Sequence, residues 1–148
     1  MKKILFFLLC LTIGITVNAK EITKQQALQK ARQFVAQPPS HQNLGRRVSP
    51  ESMSIVYAHK MPRSNRVAFY IVNVGDDAFV LVSADDVAYQ VLGYSFSKNF
   101  PVGADGSIKL PPHIKSFFDD LAAQIVADML GVDIKTAVHV LAYLVDPE

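Results

Sequence analysis

The sequence has almost no cysteine: Cys10 is its single thiol, and it sits inside an apolar stretch at the N-terminus. Lys2 and Lys3 precede a run from Ile4 to Val17, and Val17-Asn18-Ala19 then puts small or β-branched residues where a signal peptidase reads them. Residues 1–19 are therefore expected to be a secretory signal peptide, cleaved near Ala19. The run falls short of the roughly 20 residues a membrane-spanning helix needs, so no stable membrane anchor is expected. Leu9 stands where a lipoprotein signal would place a small residue before its cysteine, which argues against lipidation of Cys10. An exported chain trimmed in this way has no disulfide, no thiolate metal site and no cysteine nucleophile. It would be periplasmic or secreted.

An excess of either charge is also lacking. The 148 residues include 15 basic and 13 acidic side chains; loss of 19 residues, Lys2 and Lys3 among them, leaves 129 residues with 13 of each sign. That balance provides no clustered basic face for nucleic acid. Half of the residues are apolar and fewer than a fifth charged, which suits one globular domain.

Catalytic motifs are missing too. There is no G-x-S-x-G elbow, and Ser83, the one serine flanked by acids (Val82-Ser83-Ala84-Asp85-Asp86), reads better as a strand-end residue than as a nucleophile. His41, His59, His113 and His139 are scattered, without the i, i+4 spacing of a zinc helix. His41 and His59 read as surface residues, His139 as a packing residue on a helix, and His113 as a solvated residue in a first helical turn. Asp76-Asp77 and Asp85-Asp86 lie between apolar strands, where Asp serves turn geometry, and neither has the spaced oxygens of a calcium loop. Arg46-Arg47 suits either a solvated loop or a site of proteolytic processing. No catalytic residue, metal or cofactor is assigned.

What the sequence does contain is clear periodicity. Thr23 and Gln26 form a capping box ahead of a helix whose stripe is Ala27, Leu28, Ala31, Phe34 and Val35, stopped by Pro38-Pro39. Ser40 to Glu51 is polar and aperiodic. Met53–Lys60 reads as an edge strand and Met61–Asn65 as a turn. Val67–Val74 is a strand joined through Gly75-Asp76-Asp77 to another at Ala78–Ala84. Both are apolar on both faces, Phe79 and Leu81 pointing one way and Ala78, Val80 and Val82 the other, so both belong in the middle of a sheet covered on each side. Tyr89–Tyr94 is a fourth strand, and Ser95–Leu110 a polar loop. Pro111-Pro112 opens a helix striped by Ile114, Phe117, Phe118, Leu121, Ala122, Ile125, Val126 and Met129, which Gly131 ends. Asp133 caps a last helix. The expected fold is a single α+β domain: a four-stranded antiparallel sheet packed with N-terminal and C-terminal helices. Its parts are a leader at 1–19, the domain at 20–130 and a C-terminal helix at 131–148.

The run Phe79-Val80-Leu81-Val82-Ser83-Ala84-Asp85-Asp86, followed by Val91-Leu92-Gly93-Tyr94-Ser95, resembles the prosegment of streptopain-type cysteine peptidases. There a similar strand ends in a V-S-x-D turn and an I-L-G-Y-S strand follows. Phe100, the loop Gly103–Gly106, a helix like Ile114–Phe118 and the opening helix Thr23–Val35 extend the likeness over roughly Glu21 to Leu130. Nothing from Met129 to Glu148 resembles a peptidase domain, so the chain is similar to the stand-alone streptopain inhibitors (Spi).

The resemblance implies a streptopain-type cysteine peptidase as partner and inhibition by occlusion, with a loop residue displacing the catalytic histidine from its cysteine. In the family that residue is an asparagine just before the helix matching Ile114–Ile125; here the position holds His113, a departure from the pattern. On this basis the peptidase contact comprises Leu110, Pro111, Pro112, His113 and Ile114, together with Phe117, which with Phe118 stiffens the base of the loop. The rival readings are a prosegment-like foldase or remnant that binds without blocking, an exported ligand-binding or interaction domain, and an enzyme with a preassembled serine, histidine and acid.

Overall fold

Helix α1 (Lys24–Ala36) starts where the Thr23 side chain accepts from the Gln26 amide at 3.2 Å while the Gln26 side chain accepts from the Thr23 amide at 2.8 Å. Each partner thus satisfies a backbone donor that the first turn would leave open. Residues 20–37, 52–61, 64–86, 88 and 90–131 are described by the structure, a computed structural model. Expectations for the leader, Pro38-Pro39, the polar segment with His41 and Arg46-Arg47, and the last helix with Asp133 and His139 lie outside them.

The strands are β1 (Met53–Lys60), β2 (Val67–Val74), β3 (Ala78–Ser83) and β4 (Val91–Ser95), and they pair antiparallel in the order β1-β2-β3-β4. β3 ends one residue earlier than expected because the Ser83 hydroxyl accepts from the Asp85 amide at 3.1 Å and turns the chain. The order places β2 and β3 at the centre, as their two-sided apolar sequences require. Ala78, Val80 and Val82 pack with Val72, Val74, Ala27, Ala31 and Val35 on the face under α1. On the other face Ile71, Leu81 and Phe69 pack against Phe118, Ala122 and Ile125 of helix α2 (Pro112–Leu130). Gly131 ends α2 at φ +64°, a left-handed cap that a side chain would strain. The result is a single α+β domain with one helix on each side of an antiparallel sheet.

β1 carries an irregularity between Ile55 and Tyr57, where Val56 has no register partner on β2. A bulge of this kind reverses which residues face which side. Before it, Met53 and Ile55 pack under α1; after it, Ala58 does so, while Val56 and Tyr57 pack toward α2. His59 consequently turns inward and is only 6% exposed, which corrects its reading as a surface residue. Phe117 is corrected in the opposite sense: it belongs to the apolar pattern of α2 but is 55% exposed, whereas Phe118 beside it is buried.

Candidate functional site

The stretch from β4 to the first turns of α2 holds all six residues singled out in the sequence. Two asparagines fasten its root to the sheet. Asn73, the last residue but one of β2, donates through Nδ2 to the Phe100 carbonyl at 3.1 Å and accepts through Oδ1 from the Phe100 amide at 2.9 Å. Asn99 accepts from the Ala78 amide at 3.0 Å and donates to the Gly75 carbonyl at 2.9 Å. Sequence reasoning assigned neither residue a role. The available signal was a lone amide in the apolar strand Val67–Val74, since a buried polar side chain requires partners.

Beyond Phe100 the chain makes a tight turn. The Gly103 amide donates to the Ser107 carbonyl at 2.8 Å, and Asp105 Oδ1 accepts from the Ser107 amide at 3.0 Å and hydroxyl at 2.7 Å. Those two hydrogen bonds hold the Asp105 carboxyl below the usual carboxylate range. A Cβ on Gly103 would sit 2.7 Å from Asp105 Oδ1 and 3.1 Å from the Ser107 carbonyl oxygen, so any other residue there must push the Asp105 carboxylate off its present position.

Leu110 and Ile114 are half-buried and pack into the α2 side of the core. Pro111, Pro112 and His113 between them are exposed. Pro111 caps the helix with extended backbone (φ −57°, ψ 149°), and its carbonyl accepts from the Ile114 amide at 3.0 Å and the Lys115 amide at 2.9 Å. Proline at the first helical position forfeits no hydrogen bond, because that N–H has no intrahelical acceptor. His113 and Phe117, four residues apart, fall on one outward side of the helix, and Ile114 and Phe118 on the inward side. The six residues thus form one continuous element: two apolar roots, and four exposed side chains supported by them.

Phe118 is the hub beneath. Its ring centroid lies 5.1 Å from Phe69 edge-on, 5.7 Å from His59, 6.0 Å from Tyr57 and 6.1 Å from Phe100. His59 stacks on Phe69 at 5.0 Å, with 17° between the planes. Tyr57 Oη lies 3.2 Å from His59 Nδ1, and His59 Nε2 lies 3.1 Å from Asp119 Oδ1. Lys115 Nζ donates to the other Asp119 oxygen at 2.7 Å. The neutral Nε2–H imidazole suits this chain, with Tyr57 donating to Nδ1 and Nε2–H donating to Asp119. Burial pushes the His59 pKa below its ordinary value against the opposing pull of Asp119, and burial together with Asp119 raises that of Tyr57. Both imidazole nitrogens are engaged, so His59 has neither one spare to serve as a base for a serine. What the arrangement does is hold α2 against β1.

Ser83 is buried, bonded to the backbone of Asp85 in both directions, as its strand-end reading expects. Asp85 goes beyond the turn role expected of it: it is buried and pairs with Arg66 at 2.7 Å. Among the described residues no group of three His, Cys, Asp or Glu side chains could hold a metal ion. None of the described helices is long and apolar enough to cross a membrane.

The chain is 27% identical over 137 residues to the Thiol protease/hemagglutinin PrtT of Porphyromonas gingivalis, an alignment covering 88% of this chain and only 14% of that protein. No solved structure matches it. Residues 19–125, well over half of the sequence and including Leu110 through Phe117, match the model of the family described as Spi protease inhibitor. The chain belongs to the Spi protease inhibitor family.

Proposed function

We propose that this protein is an exported inhibitor of a streptopain-type cysteine peptidase, acting by covering the active site and displacing the catalytic histidine. The observation that carries the reading is the family match, which spans the element from Leu110 to Phe117. The geometry supports it. Pro111, Pro112, His113 and Phe117 are exposed, while Leu110, Ile114 and Phe118 fix the backbone under them. A binding element held rigid before contact loses little conformational entropy on docking, and the fixed φ of two consecutive prolines adds to that. A stand-alone inhibitor needs such preorganisation, since a tethered prosegment has an effective concentration on the order of millimolar that a free chain does not. Protease–inhibitor contacts of ordinary size bury roughly 1,600 Å² in total, so neighbouring surface must join this element.

The test is inhibition of a streptopain-type peptidase by purified His113→Ala. The inhibition constant is expected to weaken about tenfold or more, as loss of a central contact does. Because His113 is exposed, the melting temperature should stay close to that of the parent. An unchanged inhibition constant removes His113 from the contact.

A second reading, a prosegment-like chain that assists or accompanies a peptidase without blocking it, is favoured by one observation: the similar region of PrtT is a small part of a protein described as a thiol protease. Adding the purified chain to the active peptidase separates the two, since only the inhibitor lowers turnover.

A further inference from the structure

The segment before α1 is built onto the end of the sheet. The Ile22 amide donates to the Ala84 carbonyl at 2.9 Å, and Glu21 and Asp85 pair as an isolated antiparallel bridge. Glu21 Oε1 accepts from the Val67 amide at 3.5 Å, and Ile22 is buried in the core under α1. These contacts fix the backbone of Lys20, whose nitrogen lies 2.9 Å from Oδ1 of Asp86. Lys20 is also the residue that the leader pattern Val17-Asn18-Ala19 would leave first after cleavage.

We infer that Asp86 is the docking site for the α-ammonium group that processing creates on Lys20, so that cleavage turns a neutral amide contact into an ion pair at this corner. The inference rests on the export reading above. Hydrolysis of the Ala19–Lys20 bond by a leader peptidase consumes one water. The C–N bond breaks, Ala19 leaves as a carboxylate, and the freed amine of Lys20 takes up a proton. The nitrogen then carries three donors and a full positive charge where the precursor has one N–H. A hydrogen bond with both partners ionised is shorter and stronger than its neutral counterpart.

The carboxylate at that nitrogen is Asp86; of the charged residues next to the pair along the chain, Glu21 accepts from the Val67 amide and buried Asp85 pairs with Arg66. Asp86 favours the ammonium form. An α-amino pKa raised on folding stabilises the native state fully below its unfolded value of about 8, and that stabilisation is lost as pH rises through the folded value. The trimmed product is accordingly held together more firmly than its precursor at neutral pH, at the point from which α1 departs.

The test begins with the full chain expressed with its leader in an exporting host. Mass spectrometry of the product is expected to place its first residue at Lys20; an untrimmed product overturns the export reading and the docking with it, whereas trimming at another residue overturns the docking alone. For a product that does start at Lys20, melts of the parent and Asp86→Asn are compared at about pH 6.5 and about pH 9.5, either side of an ordinary α-amino pKa. Asp86→Asn should lower the melting temperature by a few degrees at the lower pH and by much less at the higher. An equal loss at both pH values overturns the docking while leaving export intact. A second measurement needs no variant: titration of the α-amine by its rate of acylation should give a pKa above about 8, and an ordinary or lower value overturns the inference.

Discussion

The two faces of the sheet are built from different materials. Under α1 the buried centre is mostly small and aliphatic: Ala27, Ala31 and Val35 of the helix meet Val72, Val74, Val80 and Val82, with Tyr70 beside them and the rings of Phe34, Tyr94 and Phe96 clustered at the rim, and the helix touches all four strands. Under α2 rings are added to the aliphatic side chains: Phe69, Phe118, Phe79 and Phe100 cluster with Tyr57 and His59 beside Ile71, Leu81 and Ile125, and the helix lies mainly over β1 and β2. Small side chains let a helix lie close to a sheet and leave no room to spare. Rings fill much of the space under α2, and Phe100 and Leu110 pack onto the same cluster and lead into the exposed element. One face is a tight scaffold; the other presents the candidate contact.

The contrast is broken most severely at Phe118. Phe118→Ala should cost about 3–5 kcal/mol in denaturant unfolding, the range for removing a buried phenyl ring, and should weaken inhibition as the base under His113 and Phe117 collapses. A loss below about 1 kcal/mol would show that the aromatic hub is not the support proposed for that element. The opposite lesion belongs on the opposite face. Ala31 is fully buried, and Leu is nearly as good a helix former as Ala, so Ala31→Leu should cost about 1–3 kcal/mol through overpacking alone. Inhibition should survive it wherever the protein remains folded.

The smallest effect sharpens the comparison through pH. The imidazole of His59 is buried, and its folded-state pKa lies below the ordinary value of about 6.5. The unfolded chain therefore binds a proton more readily than the folded one. The resulting stabilisation is complete above about pH 6.5 and is lost as pH falls through the lower folded value. Melts at about pH 8 and about pH 5 should show a decline that is shallower in His59→Gln. An identical decline in both proteins would assign it to the carboxylates instead.

Much of this architecture is legible in the residues. Val67–Val74 and Ala78–Ser83 are apolar at every parity, which only a doubly covered strand tolerates, and the spacing of Thr23 and Gln26 names the start of α1. The six residues proposed for the peptidase contact fall within the short stretch Leu110 to Phe117, where the family resemblance, not the residue pattern, put them. What escaped depends on partners far along the chain or on a single added residue. His59 finds Asp119 sixty positions away, and its inward turn follows from the bulge after Ile55, which simple alternation does not foresee. Asp85 reads as a turn residue until Arg66 arrives from the preceding strand's entry. Phe117 and Phe118 are indistinguishable by composition; a rotation of about 100° between neighbours decides that one is sheltered and the other shown to solvent.

The reciprocal amide bonds between Asn73 and Phe100 divide the crossing into two short tethers. From Phe100 to Leu110 the chain is anchored at either end, so lengthening or swapping the bend at Gly103–Ser107 leaves both anchorages where they are. That bend is a natural insertion point: a reporter or affinity tag grafted there would ride on the outside of the molecule without shifting the prolines that follow.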